Sequence, residues 1–252
     1  MIQADDRGFT LGDGLFETLL AEAGALRDLD AHLDRMAAGC VVLGLPPPDR
    51  VEAEGLMGQA LCEGGLTGVR AAVRLTLTVG SGGRGLDRPE PLQPTMVATA
   101  APSPKPETPA RLVTSTVRRN DQSPAARLKS LAYLDNVLAR AEARAAGADE
   151  AVMLNTRGEV ACAAAANLFW VADGRLHTPA LDCGVLAGIQ RGRVIAAAGR
   201  LKLPVAEVRA GPDALAAAEA IFLTNSLIGL RPVERLDGRG LQPWDGLTAL
   251  EA

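Results

Sequence analysis

The chain is poor in the residues on which many active sites depend. Only two histidines occur among its 252 residues, and neither His32 nor His177 stands in a sequence pattern typical of a serine–histidine–aspartate triad or of a metal site. The four cysteines form no CxxC pair. These shortages argue against hydrolase triads, metal sites and a disulfide framework, so no metal is predicted.

The chain also has little net charge and lacks long apolar runs. The formal net charge of -4 provides no basic field for a nucleic acid. The longest apolar stretch, residues 161–171, is too short to span a membrane, and the first residues do not form a signal peptide. We therefore expect a cytoplasmic protein that acts on a small molecule, without a nucleic-acid or membrane partner.

The apolar pattern and the glycines predict an α+β protein with two domains. A small N-terminal domain (1–100) and a larger C-terminal domain (110–252) are joined by residues 101–109, where prolines recur at nearly every second position and force an extended path. In the first domain we predict a hairpin, two helices and two strands, over residues 12–28, 29–40, 49–63, 69–79 and 95–100. A glycine-rich loop, residues 80–85, separates the two strands.

The second domain is predicted to mix strands with three helices. A strand over residues 111–117 precedes a long helix over 131–146, whose apolar side contains Leu131, Leu134, Leu138 and Ala141. The remaining elements are three or four short strands within 150–177, a helix over 188–201, a strand over 205–208, a short helix over 212–217 and strands over 220–223 and 230–235.

Lysine is rare, which narrows any search for a catalytic amine. Lys105 lies in the proline-rich linker and Lys202 at the exposed end of a helix, whereas Lys129 lies at the start of the long helix among apolar neighbours. Loss of solvation lowers the pKa of an amine and frees its lone pair for attack on a carbonyl. The structural alternative is a lysine that extends from a helix start into solvent.

Two segments have features of an anion site. Gly188-Ile189-Gln190 opens a helix, where free amides suit a phosphate, and Asn225-Ser226-Leu227 follows an apolar strand and could add a hydroxyl and amides. Arg84 in the glycine-rich loop is interpreted as a clamp for a substrate carboxylate. A solvated arginine in a turn is the alternative.

Several motifs in order along the chain resemble the fold-type IV enzymes that depend on pyridoxal 5′-phosphate (PLP). This group contains branched-chain aminotransferase, D-amino-acid aminotransferase and aminodeoxychorismate lyase. The resemblance covers almost the whole chain, and the glycine-rich loop and the segment from Ala165 to Trp170 are most similar to the lyase. The matching segments are Asp6-Arg7-Gly8-Phe9, Gly12 to Thr18, His32-Leu33-Asp34-Arg35 and Asn167-Leu168-Phe169-Trp170.

The resemblance assigns roles to individual positions. Lys129 matches the catalytic lysine that forms the Schiff base with PLP, and Arg35 matches the arginine that binds the cofactor phosphate. Tyr133 falls near the residue that contacts the phenolic oxygen in some members. Further phosphate contacts are assigned to Gly188, Ile189, Gln190, Ser226 and Leu227, and substrate contacts to Phe16, Arg84 and Asn225. A homodimer is also implied.

The resemblance fails at one position. Cys162 stands where the family places a glutamate that pairs with the pyridine nitrogen of PLP, and Glu159 points to the opposite face of a strand. Without a carboxylate the ring is a weaker electron sink, which harms transamination more than elimination. We therefore expect a lyase that converts 4-amino-4-deoxychorismate to 4-aminobenzoate and pyruvate. The alternatives are an aminotransferase for D- or branched-chain amino acids and a weakly active PLP-binding relative.

Overall fold

A computed structural model describes residues 2–251, and the chain divides into two compact units. Unit 1 contains the described residues up to Lys105 together with Leu128–Ala132. Unit 2 contains Pro106–Arg127 and the described residues from Tyr133 onward. The boundary after Lys105 falls within the predicted linker, but a linear division into 1–100 and 110–252 does not provide for the return of residues 128–132 to unit 1.

Unit 1 is a sheet with helices packed against it. Its strands are β1 (Gly14–Glu22), β2 (Ala25–Leu26), β3 (Ala71–Thr78) and β4 (Thr95–Pro102), and its helices are α1 (Arg7–Leu11), α2 (Leu29–Leu43) and α3 (Arg50–Glu63). The strands are antiparallel in the order β2-β1-β3-β4. Since β4 pairs with β3 as far as Pro102, the first two residues of the predicted linker are strand.

Alternate side chains on the strands of unit 1 face the same apolar core. Leu15, Leu19 and Ala21 on β1 and Val73 and Leu75 on β3 are fully or almost fully buried in one apolar cluster with α2 and α3. Alternate residues of a strand point to opposite faces, so these side chains form one core-facing layer.

Unit 2 contains a larger mixed sheet. Its helices are α4 (Leu134–Ala145), α5 (Ile189–Arg200) and α6 (Pro212–Ala216), and its strands are β5 (Ala110–Arg119), β6 (Glu150–Asn155), β7 (Val160–Ala163), β8 (Asn167–Ala172), β9 (Arg175–Pro179), β10 (Val205–Val208), β11 (Ala220–Asn225), β12 (Gly229–Leu236) and β13 (Arg239–Gly240). The order is β10-β9-β8-β11-β12-β5-β6-β7, and β13 pairs with β12. Parallel pairs occur at β5·β6, β5·β12 and β9·β10.

Three strands of unit 2, β6, β7 and β8, are buried on both faces. Every residue of β6 and β7 is buried, and on β8 only Ala172 is partly exposed. Phe169 on β8 stacks on Phe222 of β11 with a distance of 5.1 Å between ring centroids. The continuous apolar runs in the sequence thus correspond to strands covered on both sides.

The predicted α+β class is confirmed, but the predicted start of the long helix is wrong. The helix begins at Leu134 rather than at residue 131, and its apolar side is solvent-exposed at Leu134 (68%) and Leu138 (48%). Its buried residues are instead Asn136, Ala139 and Ala143. These side chains are small, so the helix can lie close to the sheet, and a search for large apolar residues selects the opposite face.

The sequence predicts that no apolar segment is long enough to span a membrane. Within residues 2–251, no helix combines the length and the apolar character that crossing a membrane requires.

Candidate active site

Lys129 lies in a turn directly before Ser130 rather than at the start of a helix. The amide of Phe16 donates to the carbonyl of Lys129 at 2.9 Å, and the amide of Leu131 donates to Gly14 at 3.0 Å. This ladder pairs Ser130 with Leu15 in antiparallel register. The prediction that Lys129 lies at the start of the long helix is therefore wrong, because strand pairing with β1 places it in unit 1.

The amine of Lys129 is held against an aromatic ring. Its Nζ atom lies 4.1 Å from the centroid of the Phe16 ring, and the Arg74 guanidinium carbon lies 3.7 Å from the same centroid. Burial lowers the pKa of Lys129 to about 8, with Glu17 acting to raise it and Arg35 and Arg74 acting to lower it. A substantial fraction of this amine is therefore neutral and nucleophilic near pH 8.

Glu17 is a buried carboxylate at the centre of the polar cluster in unit 1. It accepts hydrogen bonds from His32 Nδ1 at 2.7 Å and from Arg35 Nε and Nη2 at 2.7 and 2.6 Å. Burial acts to raise the pKa of Glu17, but the hydrogen bonds and charges of Arg35 and His32 together lower it. Glu17 is therefore ionised near neutral pH.

Arg35 can serve Glu17 and a phosphate together. It uses one edge of its guanidinium for both oxygens of Glu17, and a guanidinium has donors on more than one edge. Arg35 and Arg74 outnumber Glu17, which gives this cluster a positive balance that suits a phosphate dianion. This chemistry fits PLP.

The glycine-rich loop is held by arginines other than Arg84. Arg7 donates to the carbonyls of Gly85, Leu86 and Asp87, and both Arg7 and Arg88 pair with Asp13. Arg84 itself is exposed, and its backbone pairs with Asp87. Its role as a carboxylate clamp stays a prediction.

In unit 2, Cys162 is a buried thiol on β7. Its register partner is Met153 on β6, and it packs in a cluster rich in alanine. Burial raises the pKa of Cys162, with Arg119 acting to lower it and Glu150 acting to raise it further. The thiol is therefore neutral near pH 7.

Arg119 and Glu150 are charged neighbours of this thiol that the sequence did not reveal. Arg119 is buried and donates to the carbonyls of Gly184 and Ala126. Glu150 pairs with Arg140, and burial raises its pKa.

The start of α5 packs closely against Asn167. Gly188 is its extended N-cap, and no side chain caps the helix. A Cβ atom at Gly188 would lie 1.9 Å from Oδ1 of Asn167, whose Nδ2 donates to Leu186. Only glycine fits there, and amides in the first turn of a helix are a general phosphate site. Ile189 and Gln190, the predicted phosphate contacts, are the first helical residues.

The turn after β11 is built around Asn225. Its Oδ1 accepts from the amides of Leu227 and Ile228 at 2.9 Å each, and its Nδ2 donates to Ala165. The structure thus uses the Asn225 side chain and the Leu227 amide within the turn, beside Ser226. Their assignment to substrate and phosphate stays a prediction. Tyr133, the N-cap of α4, is also in unit 2.

Sequence reasoning missed Glu17, His32 and Arg74 as site residues. Glu17 follows the same two-residue spacing as the buried Leu15 and Leu19, and an acid in a core-facing row usually requires a buried partner. His32 and Arg35 are three residues apart on α2 and so share one face. These two signals could have found the cluster.

Comparisons with known proteins identify relatives of both expected activities. A candidate branched-chain-amino-acid aminotransferase of Methanocaldococcus jannaschii is 34% identical over 93% of this chain and 82% of its own. Aminodeoxychorismate lyase of Vibrio harveyi is 30% identical over 90% of this chain and 84% of its own. The crystal structure of 4-amino-4-deoxychorismate lyase from Pseudomonas aeruginosa has a TM-score of 0.89 at 33% identity, covering 100% of this chain and 93% of that one.

A family model settles the classification. The pattern described as "Amino-transferase class IV" matches residues 14–236, which span most of both units. The expected fold-type IV architecture and the PLP cofactor are confirmed with it. This chain belongs to the class IV aminotransferase family of PLP-dependent enzymes.

Proposed function

We propose that this enzyme is a lyase that converts 4-amino-4-deoxychorismate to 4-aminobenzoate and pyruvate. The observation that carries the proposal is Cys162, a buried neutral thiol where the family resemblance places a carboxylate. Relatives named as aminodeoxychorismate lyases support it. The reaction needs no oxidant, reductant or second substrate, because the ring loses one proton, the side chain leaves as enolpyruvate, and enolpyruvate takes up one proton to become pyruvate.

The proposed residues divide the work as follows. PLP, when bound, supplies the electron sink next to the substrate amine. Lys129 provides the amine that holds the cofactor and then accepts the ring proton at Nζ, a role that suits a pKa of about 8. Arg35 in unit 1 and the first amides of α5 in unit 2 are separate candidates for binding the phosphate. Cys162 can donate only a weak hydrogen bond to a pyridine nitrogen and cannot stabilise its protonated form.

The second candidate is an aminotransferase for branched-chain or D-amino acids. Identity of 34% to the M. jannaschii protein favours the branched-chain substrate, and 28% identity to D-alanine aminotransferase of Listeria monocytogenes favours the D-amino acid. Either transamination requires a keto acid to accept the amino group, whereas the lyase reaction does not.

Product analysis separates these candidates. The purified protein with PLP is incubated with 4-amino-4-deoxychorismate without any keto acid, and pyruvate and 4-aminobenzoate are measured. The proposal expects both products in equal amounts over many turnovers. Absence of both, together with amino transfer from a D- or branched-chain amino acid to an added keto acid, would overturn it.

A further inference from the structure

Glu17, His32 and Arg35 form a hydrogen-bonded triad in unit 1. Oε2 of Glu17 accepts from Nη2 of Arg35 at 2.6 Å, and Oε1 accepts from Nε of Arg35 at 2.7 Å. A two-point contact of this kind fixes the plane of a guanidinium as well as its position. The carboxylate of Glu17 therefore sets the orientation of Arg35.

His32 holds that carboxylate from a second direction. A carboxylate only accepts hydrogen bonds, so Nδ1 of His32 donates to Oε2 of Glu17 at 2.7 Å. His32 and Arg35 are three residues apart on α2 and share one face of that helix. The carboxylate on β1 is thus bound by two side chains of α2, and it has little freedom to turn.

The position of Glu17 is not explained by stability. Leu15, Leu19 and Ala21 of β1 face the core of unit 1, and Glu17 interrupts this apolar row. Desolvation makes a buried ion pair costly, and apolar residues that replace such a pair often give equal or greater stability. An explanation is therefore needed in what the pair orients.

Arg35 is the member of the triad that reaches solvent. The side chains of Glu17 and His32 are each 1% exposed, whereas that of Arg35 is 18% exposed. A guanidinium carries five N–H donors, and the contact with Glu17 uses two of them. The triad therefore places an oriented guanidinium at the surface of unit 1 on a buried base.

We propose that Glu17 and His32 are positioning residues for Arg35, and that they hold its guanidinium in the orientation that binds the phosphate of PLP. His32 fixes the carboxylate, and the carboxylate fixes the guanidinium. The inference rests on the phosphate-binding role of Arg35 in the proposed function, and it does not depend on the reaction catalysed.

Positioning and charge have opposite effects on phosphate binding. Glu17 is an anion beside Arg35, so on charge alone its removal should strengthen the binding of a phosphate dianion. Positioning predicts the reverse, because a guanidinium released from Glu17 loses conformational freedom when the phosphate binds. The direction of the change therefore identifies the role of Glu17.

Calorimetric titration of the cofactor-free full chain with pyridoxamine 5′-phosphate and with pyridoxamine tests the inference. Neither compound forms an imine with a lysine, and the ratio of their affinities isolates the contribution of the phosphate. Glu17→Gln should lower this ratio by about tenfold and leave the affinity for pyridoxamine unchanged. An unchanged or raised ratio, or equal weakening of both ligands, would overturn the inference.

Asp34→Asn is the matched control. Asp34 precedes Arg35 on α2 and pairs with Arg50, and both of these side chains are exposed. The substitution removes the same charge as Glu17→Gln, but from a pair that solvent screens. Its ratio should not fall, and a fall equal to that in Glu17→Gln would overturn the inference.

Two variants of His32 test the second contact. His32→Leu removes the donor to Glu17 and should lower the ratio by about threefold. His32→Asn places an amide nitrogen near the position of Nδ1 and should restore most of it. These variants also provide the test if Glu17→Gln does not fold by circular dichroism. Equal ratios in the two His32 variants would overturn the role assigned to His32.

Arg35→Gln separates this inference from the proposals above. It should lower the ratio at least as much as Glu17→Gln does, and the double variant should show no further fall, because both act through one guanidinium. An unchanged ratio in Arg35→Gln would overturn the phosphate-binding role of Arg35 together with the inference. The titrations need no turnover, so failure to release pyruvate would overturn the lyase proposal and leave these ratios standing.

Discussion

Units 1 and 2 each bury a glutamate beside an arginine, with opposite results. The pKa of Glu17 is lowered although burial opposes this, whereas burial raises the pKa of Glu150. Arg35, the partner of Glu17, is 18% exposed and is joined by His32, but Arg140, the partner of Glu150, is 38% exposed. Solvent screens a charge on an exposed partner. Burial alone therefore does not decide in which direction the pKa of a buried acid shifts.

The two candidate reactive groups, Lys129 in unit 1 and Cys162 in unit 2, also lie near acids whose pKa values shift in opposite directions. Unit 1 places an ionised acid near the basic amine of Lys129, whereas unit 2 keeps Cys162 neutral next to an acid of raised pKa. The amine that can exchange a proton near pH 8 thus lies in unit 1, whereas the neutral thiol of unit 2 can donate only a weak hydrogen bond.

The largest expected effect comes from Lys129. Lys129→Arg keeps a positive charge but removes the amine that can become neutral, so pyruvate release should fall by at least about 1,000-fold. The matched control is Lys202→Arg, at an exposed position of unit 2, which should keep full activity. A modest loss in Lys129→Arg would show that another group moves the proton.

A second prediction compares the two buried acids directly. Glu17→Gln should lower the free energy of unfolding at pH 7 by about 3 kcal/mol, because it leaves Arg35 without its buried partner. Glu150→Gln should change it by less than about 1 kcal/mol, since the charge is already disfavoured there. Urea denaturation measures both values, and equal losses would contradict the comparison.

The effect of Glu17 on stability should depend on pH in a defined direction. The pKa of Glu17 in the folded chain is below its ordinary 4.5, so its stabilising contribution is complete above that value and is lost as the pH falls through the lowered pKa. The penalty of Glu17→Gln should therefore shrink in urea denaturation at pH 3. A penalty that grows in acid would contradict the assigned ionised state.

Cys162→Glu tests the neutral character of unit 2. A glutamate able to hold a protonated pyridine nitrogen should raise half-transamination with amino acids by about 10- to 100-fold, which corresponds to a charged hydrogen bond of roughly 1.5–3 kcal/mol. Elimination should change less. Cys162→Gln is the uncharged control and should leave transamination low. If Cys162→Glu binds PLP but transamination stays flat, the ring nitrogen has another partner.

The smallest expected effect concerns the start of α5. A Cβ atom on Gly188 would collide with Asn167, so Gly188→Ala should weaken PLP binding by about tenfold, or ~1.4 kcal/mol. Gly192→Ala on the same helix has nothing within 4 Å of the added methyl group and serves as the control. Absorbance titration with PLP measures both. Equal affinities would place the phosphate elsewhere.

Much of the fold could be predicted from local patterns. Strand alternation and helix caps locate most elements to within a few residues, as for α3, which the sequence predicts over 49–63 and the structure gives as Arg50–Glu63 with Asp49 as its N-cap. The short helix α1 was missed, because five residues contain too little periodicity to detect.

Contacts between residues that are far apart in the sequence determine the features that local sequence patterns could not predict. Ser130 pairs with Leu15, more than a hundred residues earlier, and no periodicity near Lys129 reveals this isolated bridge. The buried face of α4 was missed because alanine and asparagine, rather than leucine, pack inward. Lys129 was found through its rarity and the family resemblance, whereas its acidic neighbour Glu17 depends on contacts across β1 and α2.

The central claim is that Lys129 is the amine that holds the cofactor, and borohydride trapping tests it most directly. The protein is incubated with PLP, reduced with sodium borohydride and digested, and the pyridoxyl group is located by peptide mass spectrometry. The account predicts modification of Lys129 alone among the three lysines, with loss of the visible absorbance band on reduction. A pyridoxyl group on Lys105 or Lys202, or no modification at all, would contradict it.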